Sequence, residues 1–391
     1  MSAPATPADR AKVLRQRRDR KMARSVHAFV RGDVAGFYAM LDTTIASLPD
    51  APRLWICGDC HLGNLGPVAD NDGVVDIQIR DLDQTIKGHP AIDLIRLGLS
   101  LETAARNSVL PGVATAAMID SLAGGYARAL TEDGKPAEPG LVRTLRRKAL
   151  GRHWRHLADE RIDDTSARIP RNKRFWTLLP DECDAIDELF RDDAVLADVL
   201  RLAGIERGHV RVVDAAFWRK GCSSLGNLRF AVLLGVRRKP GADERLALVD
   251  IKEAMPPVPR SMQDNEALDP AVRVVAGARA LAPNLGGRMI PACLLGRPVV
   301  LRELKPQDLK LEIAQFSRAE AGKAASYLGF VLGRAHARQL DKDERKRWAV
   351  SFGVTNQNPA APSWLWSAVV SLAGAFESGY LEHCRALIMG G

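Results

Sequence analysis

RLWICGDCHLGNLGPVADNDGVVDIQIRDLDQTIKGHPAIDLIRLGLSL, residues 53–101, sets Asp59, His61, Asn64, Asp81, Asp83 and Asp93 among apolar runs able to hold them rigidly. Leu54–Cys57 and Val74–Ile79 read as strands, with a Gly/Asn/Asp turn at Asp70–Gly73. The expectation is a hairpin with acids at its ends. From Pro90 onward, Ile92, Leu94, Ile95, Leu97, Leu99 and Leu101 predict a largely buried helix, with Pro90 tolerated at its start and Asp93 in its first turn.

This set suits phosphoryl transfer, which asks a protein for positioning and for charge stabilisation through a divalent metal. An Asp beside an acceptor hydroxyl takes its proton, and an Asn and a second Asp offer hard oxygens to Mg²⁺. Asp59, Asn64 and Asp81 fit those three roles. Asp59 and Asn64 stand five residues apart, the interval of a kinase catalytic loop. GDCHLGN, a strand, DLD and GHPAIDL together look like the aminoglycoside phosphotransferase and kinase-like pattern GDxHxxN, D-F-D/G and G-D-P-x-x-D-L. Asp70 and Asp72 are read as a solvated turn, His61 as a residue that holds the loop by hydrogen bonds, and Asp93 as a brace behind it. Cys57 and Cys60 form a C-x-x-C without a second such pair, which leaves little for a zinc or redox centre.

The chain has 391 residues, 46% of them hydrophobic, enough for one large or two smaller lobes. Six scattered cysteines at 57, 60, 183, 222, 293 and 384 do not resemble a disulfide framework, and no long apolar run is present. The expected setting is the cytoplasm, without a membrane. A net charge of +9 favours anionic partners.

Four segments differ in texture. Residues 1–50 carry a basic run, RAKVLRQRRDRKMAR at 10–24, then a helical pattern built on Val26, Phe29, Val30, Phe37, Tyr38, Leu41 and Ile45 that breaks near Arg31–Gly32. The basic run is most simply a solvated face, with RNA or phosphate contact as the other account. Residues 51–204 hold the acidic stretch and then helices. Among these, Arg143, Arg146, Arg147, Lys148, Arg152 and Arg155 alternate with Leu and Trp as in an ordinary amphipathic helix, so nucleic acid is not the favoured partner. Residues 205–305 are β-rich, with strands at His209–Ala215, Asn227–Val236 and Arg245–Ala254. RKGCSSLGN, 219–227, is a glycine- and serine-rich turn whose backbone N–H groups can cover phosphates, although it lacks the Walker spacing. Val249-Asp250-Ile251-Lys252 resembles the V-A-I-K strand whose Lys holds nucleotide phosphates. A helix at 266–282 offers Glu266 near its start as a partner for Lys252, and otherwise Arg273 and Arg279. A strand at 297–304 follows. Residues 306–391 return to helices, the first opened by a capping box at Ser317–Glu320 and carrying His336 and Arg338 as packing or interlobe contacts.

Over nearly its whole length the chain resembles the bacterial family filed as domain of unknown function 2252. The segments that carry the likeness, in order, are KMARSVHAFVRG, CGDCHLGNLG, RDLDQT, HPAIDLIRL, IPRNKRFW, KGCSSLG, VDIKEA, RVVAGAR, LREL and GRAHAR. The resemblance implies a distant relative of the kinase and aminoglycoside phosphotransferase superfamily. Its fold would be α+β and two-lobed, circularly permuted so that the catalytic and metal loops precede the nucleotide lobe. It implies Asp59 as catalytic base with His61 beside it, Asn64, Asp81 and Asp83 as metal contacts, and Lys252 on the phosphates. Gly221, Ser223, Ser224 and Gly226 would form the covering turn. ATP or another nucleoside triphosphate, Mg²⁺ and an unidentified hydroxyl acceptor follow from it. Three positions depart from the pattern: Arg80 before the first acid of DLD, Leu82 in place of Phe, and Asp250 where a small residue would pack on a purine. Nucleotidyl transfer at the same site, a nucleotide-binding pseudo-enzyme and an RNA-binding protein are the alternatives.

Overall fold

The structure is a computed structural model that describes the chain except for residues 1–5, 45–47, 107–111, 133, 162–167, 222–224, 240, 259–267, 310–317, 355–359 and 390–391. Ser223, Ser224, Glu266 and Ser317 lie outside the described residues.

The acidic stretch folds into two small antiparallel pairs. β1 (Leu54–Ile56) pairs with β4 (Ile86–Gly88), and between them β2 (Leu65–Ala69) pairs with β3 (Val75–Ile79). The turn at Asp70–Gly73 forms as its residues predict: Asp70 Oδ1 accepts from the backbone of Asp72 and Val74, and Gly73 takes a φ of +85°. The strand leading into it is corrected from Leu54–Cys57 to Leu65–Ala69. LGPVA holds Gly66 and Pro67 and is buried along its whole length, so neither β-propensity nor alternation marks it. After Pro90 the helix Ala91–Arg106 is buried at every position from Ala91 to Ala105.

The long strands form one antiparallel sheet. β5 (Phe175–Trp176), β6 (His209–Trp218), β7 (Arg229–Arg237), β8 (Arg245–Glu253), β9 (Met289–Leu294) and β10 (Arg297–Glu303) lie in the order β5-β6-β7-β8-β10-β9. The helix Pro270–Leu281 is inserted between β8 and β9. Cross-strand partners share a face of a sheet. The register pairs Lys252 with Arg229 and Val300, and Asp250 with Arg302, so one face collects these charges. The other face, with Phe230, Ile251 and Leu301, packs on Ile186, Leu189 and Val199 from the helices Pro180–Leu189 and Asp193–Leu202. Lys252 therefore stands on an inner strand facing the cleft, and is not an edge lysine in water.

A second, larger core joins Leu94, Leu97 and Leu101 to the helices Gly112–Thr131, Arg318–Ala337 and Ser363–Met389. The N-terminal helices Pro7–Met22, Val26–Gly32 and Val34–Thr44 contribute Met22, Phe29, Val30 and Phe37, and the chain breaks at Asp33. The architecture is thus mixed α+β. Among the described residues no helix is long and apolar enough to cross a membrane.

The helices Gly112–Thr131 and Arg318–Ala337 meet backbone to backbone: a Cβ on Gly125 would fall 1.9 Å from Ser326 O, and one on Gly329 would fall 2.1 Å from Leu122 O. Gly124, one residue away, has nothing within 4 Å of its would-be Cβ. Gly125→Ala is therefore expected to destabilise by about 1–3 kcal/mol or more through overpacking. Gly124→Ala should stabilise by about 0.5–1 kcal/mol through helix propensity. Thermal midpoints that shift in the same direction for both would contradict this packing.

Candidate active site

One face of the helix Ala91–Arg106 builds the loop that carries Asp59. Asp93, Arg96 and Ser100 are spaced to lie on the same side, and all three are fully buried. Asp93 accepts from Cys57 N at 2.7 Å and from Gly58 N at 2.9 Å. Arg96 Nε donates to Asp59 Oδ1 at 2.8 Å while its Nη2 donates to Val30 O at 2.6 Å. Ser100 Oγ accepts from Leu62 N at 3.2 Å. Gly58 sits at a φ of +74°, and a Cβ there would lie 2.2 Å from Gln84 O, so only glycine fits this bend. The expectation that Asp93 braces the loop agrees with these bonds. Arg96 was missed, although a lone arginine inside LIRLGL must find a partner when its helix is wholly buried.

Asp59 is buried, and burial pushes its carboxyl up to about 6, with Arg96 opposing the rise. Asn64 Nδ2 donates to Asp59 O at 2.9 Å, which leaves the amide oxygen of Asn64 as its ligating atom. His61 Nε2 lies 4.0 Å from Asp59 Oδ2, beyond hydrogen-bond distance. Burial, reinforced by Arg31 and Arg96, holds the His61 pKa well below its ordinary value and keeps the imidazole neutral. Its Nδ1 is buried without a hydrogen-bond partner.

Across from this loop, Lys252 Nζ donates to Asp81 Oδ1 at 3.2 Å and forms an ion pair with Asp83. Burial opposes ionisation of both acids. For Asp81 burial is outweighed by the Lys252 ammonium together with the Asp83 hydrogen bond, Arg229 and Arg302, which hold the carboxyl below the usual range, whereas Asp83 is driven upward by burial and by the charge of Asp81. Lys252 itself is held above its ordinary value because the two acids outweigh its burial. The turn bearing the acids is fixed from behind by Arg273 of the helix Pro270–Leu281. Its guanidinium donates to Asp83 O at 2.8 Å, to Met255 O at 2.9 Å and to Thr85 O. That helix thus presents an arginine to backbone oxygens, and the partners of Lys252 are the acids themselves.

Among the described residues no cluster of three or more His, Cys, Asp or Glu side chains is arranged to hold a metal. Asp81, Asp83 and Asn64 bring to the cleft oxygens of the type Mg²⁺ takes, an ion that binds through one or two carboxylates and draws its remaining ligands from water and phosphate. A cation, the Lys252 ammonium, already rests between the two carboxylates.

Asp59, His61, Asn64, Asp81, Asp83, Lys252 and Gly221 all line one cleft of about 460 Å³. Gly226, at a φ of +112°, is not among its lining residues. Nine lysine and arginine side chains face five carboxylates there, so the cleft favours anions. Asp250 takes a bidentate contact from Arg229 at 2.6 and 2.9 Å and a third bond from Arg302 at 3.1 Å. Lys220 beside it has its ammonium 4.1 Å from the centre of the Trp218 ring. The basic N-terminal run also reaches this cleft through Lys21 and Arg24, followed by Arg31, where sequence alone favoured a solvated face. The Arg143–Arg152 cluster does not line it; Arg146 pairs with Glu138, and Arg152 with Glu160.

Fold and site together define a mixed α+β protein with a cationic cleft in which paired acids and a lysine converge. The chain belongs to the family described as "Uncharacterized protein conserved in bacteria (DUF2252)", whose profile matches residues 10–386. No curated protein and no solved structure matches it.

Proposed function

We propose that the chain is a cytoplasmic, Mg²⁺-dependent phosphotransferase that moves a phosphoryl group from ATP or another nucleoside triphosphate to a hydroxyl of a small molecule or protein. Its fold on this reading is a kinase-like one in circularly permuted order, distantly related to the kinase and aminoglycoside phosphotransferase superfamily. The observation that carries the proposal is the meeting of Lys252 with Asp83 and, across 171 residues of sequence, with Asp81, in the cleft that also holds Asp59 and Asn64. In kinases a glycine-rich loop covers the phosphates, a lysine stands on the third strand and acids hold the metal. Here β8 is the third strand of the run β6-β7-β8, Gly221 and Gly226 fall between the first two, and a helix and two strands follow.

Asp59 accepts the proton of the acceptor hydroxyl as its oxygen bonds to phosphorus, and the nucleoside diphosphate departs. A carboxyl near 6 is ionised at neutral pH yet more basic than an ordinary Asp, which suits that task. Lys252 turns from the acids to the phosphate oxygens. Mg²⁺, when bound by Asn64, Asp81 and Asp83, supplies neutralisation of the phosphate charge.

Thermal-shift titrations with ATP and GTP, with and without Mg²⁺, test this on the wild type and Asp81→Ala. A ligand at a hundredfold over its dissociation constant stabilises by about 2.7 kcal/mol. The expected result is a Mg²⁺-dependent shift that Asp81→Ala loses; a shift indifferent to metal and mutation favours a pseudo-enzyme.

The charges around Asp250 favour one second reading, nucleotidyl transfer. On this reading Arg229, Arg302 and Lys220, which line the cleft around Asp250, would receive the terminal phosphates of a reversed nucleotide. Label retained on the acceptor from α-phosphate rather than γ-phosphate would select it.

A further inference from the structure

The cleft carries positive charge that Asp81 and Asp83 leave unmatched. Arg31, in the last turn of the helix Val26–Gly32, lays its guanidinium over Gly63, where a Cβ would fall 2.7 Å from Nη2. Its Nε is buried with no hydrogen-bond partner. Arg219 also lines the cleft, 5.2 Å from the centre of the Trp176 ring, and its Nε is buried and unpartnered too. The Nδ1 of neutral His61 makes a third such nitrogen in the same cleft. Arg24 lines the same cleft, and Lys21 donates to Gly221 O at 2.7 Å.

Buried guanidinium nitrogens without acceptors are costly, and native sites that keep them satisfy them with a ligand or water. The planar fork of an arginine matches the paired oxygens of a phosphate or carboxylate. Arg31 is also close enough to Asp59 for its charge to bear on that carboxyl, so an anion held by Arg31 would sit beside the base.

We propose that Arg31, assisted by Arg24 and Arg219, is an anion subsite for the acceptor. The molecule that receives the phosphoryl group carries a phosphate or carboxylate of its own, which Arg31 holds so that a hydroxyl of the same molecule reaches Asp59. This deepens the phosphotransferase reading and rests on it for the word acceptor; the anion site itself does not.

Calorimetric titration of the full chain with inorganic phosphate and, separately, with malonate tests the subsite. One of the two anions is expected to bind wild type and Arg146→Ala, a change outside the cleft, alike, and Arg31→Ala about tenfold more weakly or worse, the loss of one charge-assisted bond. Which anion binds distinguishes a phosphorylated from a carboxylated acceptor. Arg24→Ala alters an exposed side chain and is expected to weaken the same anion, which keeps the test readable should Arg31→Ala fail to fold. Binding that survives both Arg31→Ala and Arg24→Ala, or that is weakened as much by Arg146→Ala, overturns the proposal. If nucleotides fail to bind while Arg31-dependent anion binding persists, the phosphotransferase reading falls and the subsite stands.

Discussion

Asp93→Ala is expected to destabilise the chain by about 3–5 kcal/mol, read as a lower urea midpoint. The side chain is fully buried, and its loss strands the N–H groups of Cys57 and Gly58 in a dry core. It also strands His336 Nε2, 3.2 Å from Asp93 Oδ2. Behind His336 the bonds run in one consistent direction. Trp348 Nε1 donates to the Tyr126 hydroxyl at 3.0 Å, and that hydroxyl lies 2.9 Å from His336 Nδ1, which accepts if Nε2 carries the proton toward Asp93. The loop before Asp59 is therefore anchored to the C-terminal helices through four side chains. Asp93→Asn, which keeps one carbonyl oxygen, should fall between wild type and Asp93→Ala. A midpoint unchanged in Asp93→Ala would mean that another group holds the loop. Because the loop positions Asn64 as well, the Mg²⁺-nucleotide shift should shrink along with stability.

Much of this was legible in sequence where a local pattern carries its own cause. β6, β7 and β8 show apolar runs bounded by turn residues, and the buried helix after Pro90 shows an apolar density that leaves no solvent face. Asp59, Asn64, Asp81 and Asp83, singled out in the sequence, do share a cleft with Lys252. What could not be read was anything set by contact between distant segments. β2 is hidden by its glycine and proline and by burial on both sides. Arg273 and the N-terminal Lys21 and Arg31 look like surface cations until tertiary packing brings Arg273 to the backbone of Asp83 and the other two to the cleft. Asp250 could be noticed only as a misfit; its partners Arg229 and Arg302 come from the two neighbouring strands, and sequence does not print a register.

Asp59→Asn is expected to lower the rate of Mg²⁺-ATP turnover by about 10²–10⁴-fold, the range that general-base catalysis supplies. Asn keeps the shape of the side chain and can still accept from Arg96, but it cannot take a proton. Asp59 is assigned no metal contact, so the Mg²⁺-nucleotide thermal shift should survive in this variant while turnover does not. That separates a lost base from a lost fold. The pH dependence gives a second, independent reading. The ionised carboxylate is the working form, and its folded-state value lies at about 6, above that of an ordinary Asp. Turnover in the wild type should therefore fall as pH drops through about 6, with the acid limb displaced upward from where an exposed carboxylate would put it. The limb should be missing from whatever residual rate Asp59→Asn retains. Full turnover in Asp59→Asn, or a wild-type rate that stays flat from about pH 5 to about pH 8, would remove Asp59 from the base role and return attention to the carboxyl of Asp83, the other acid of the cleft that burial drives upward.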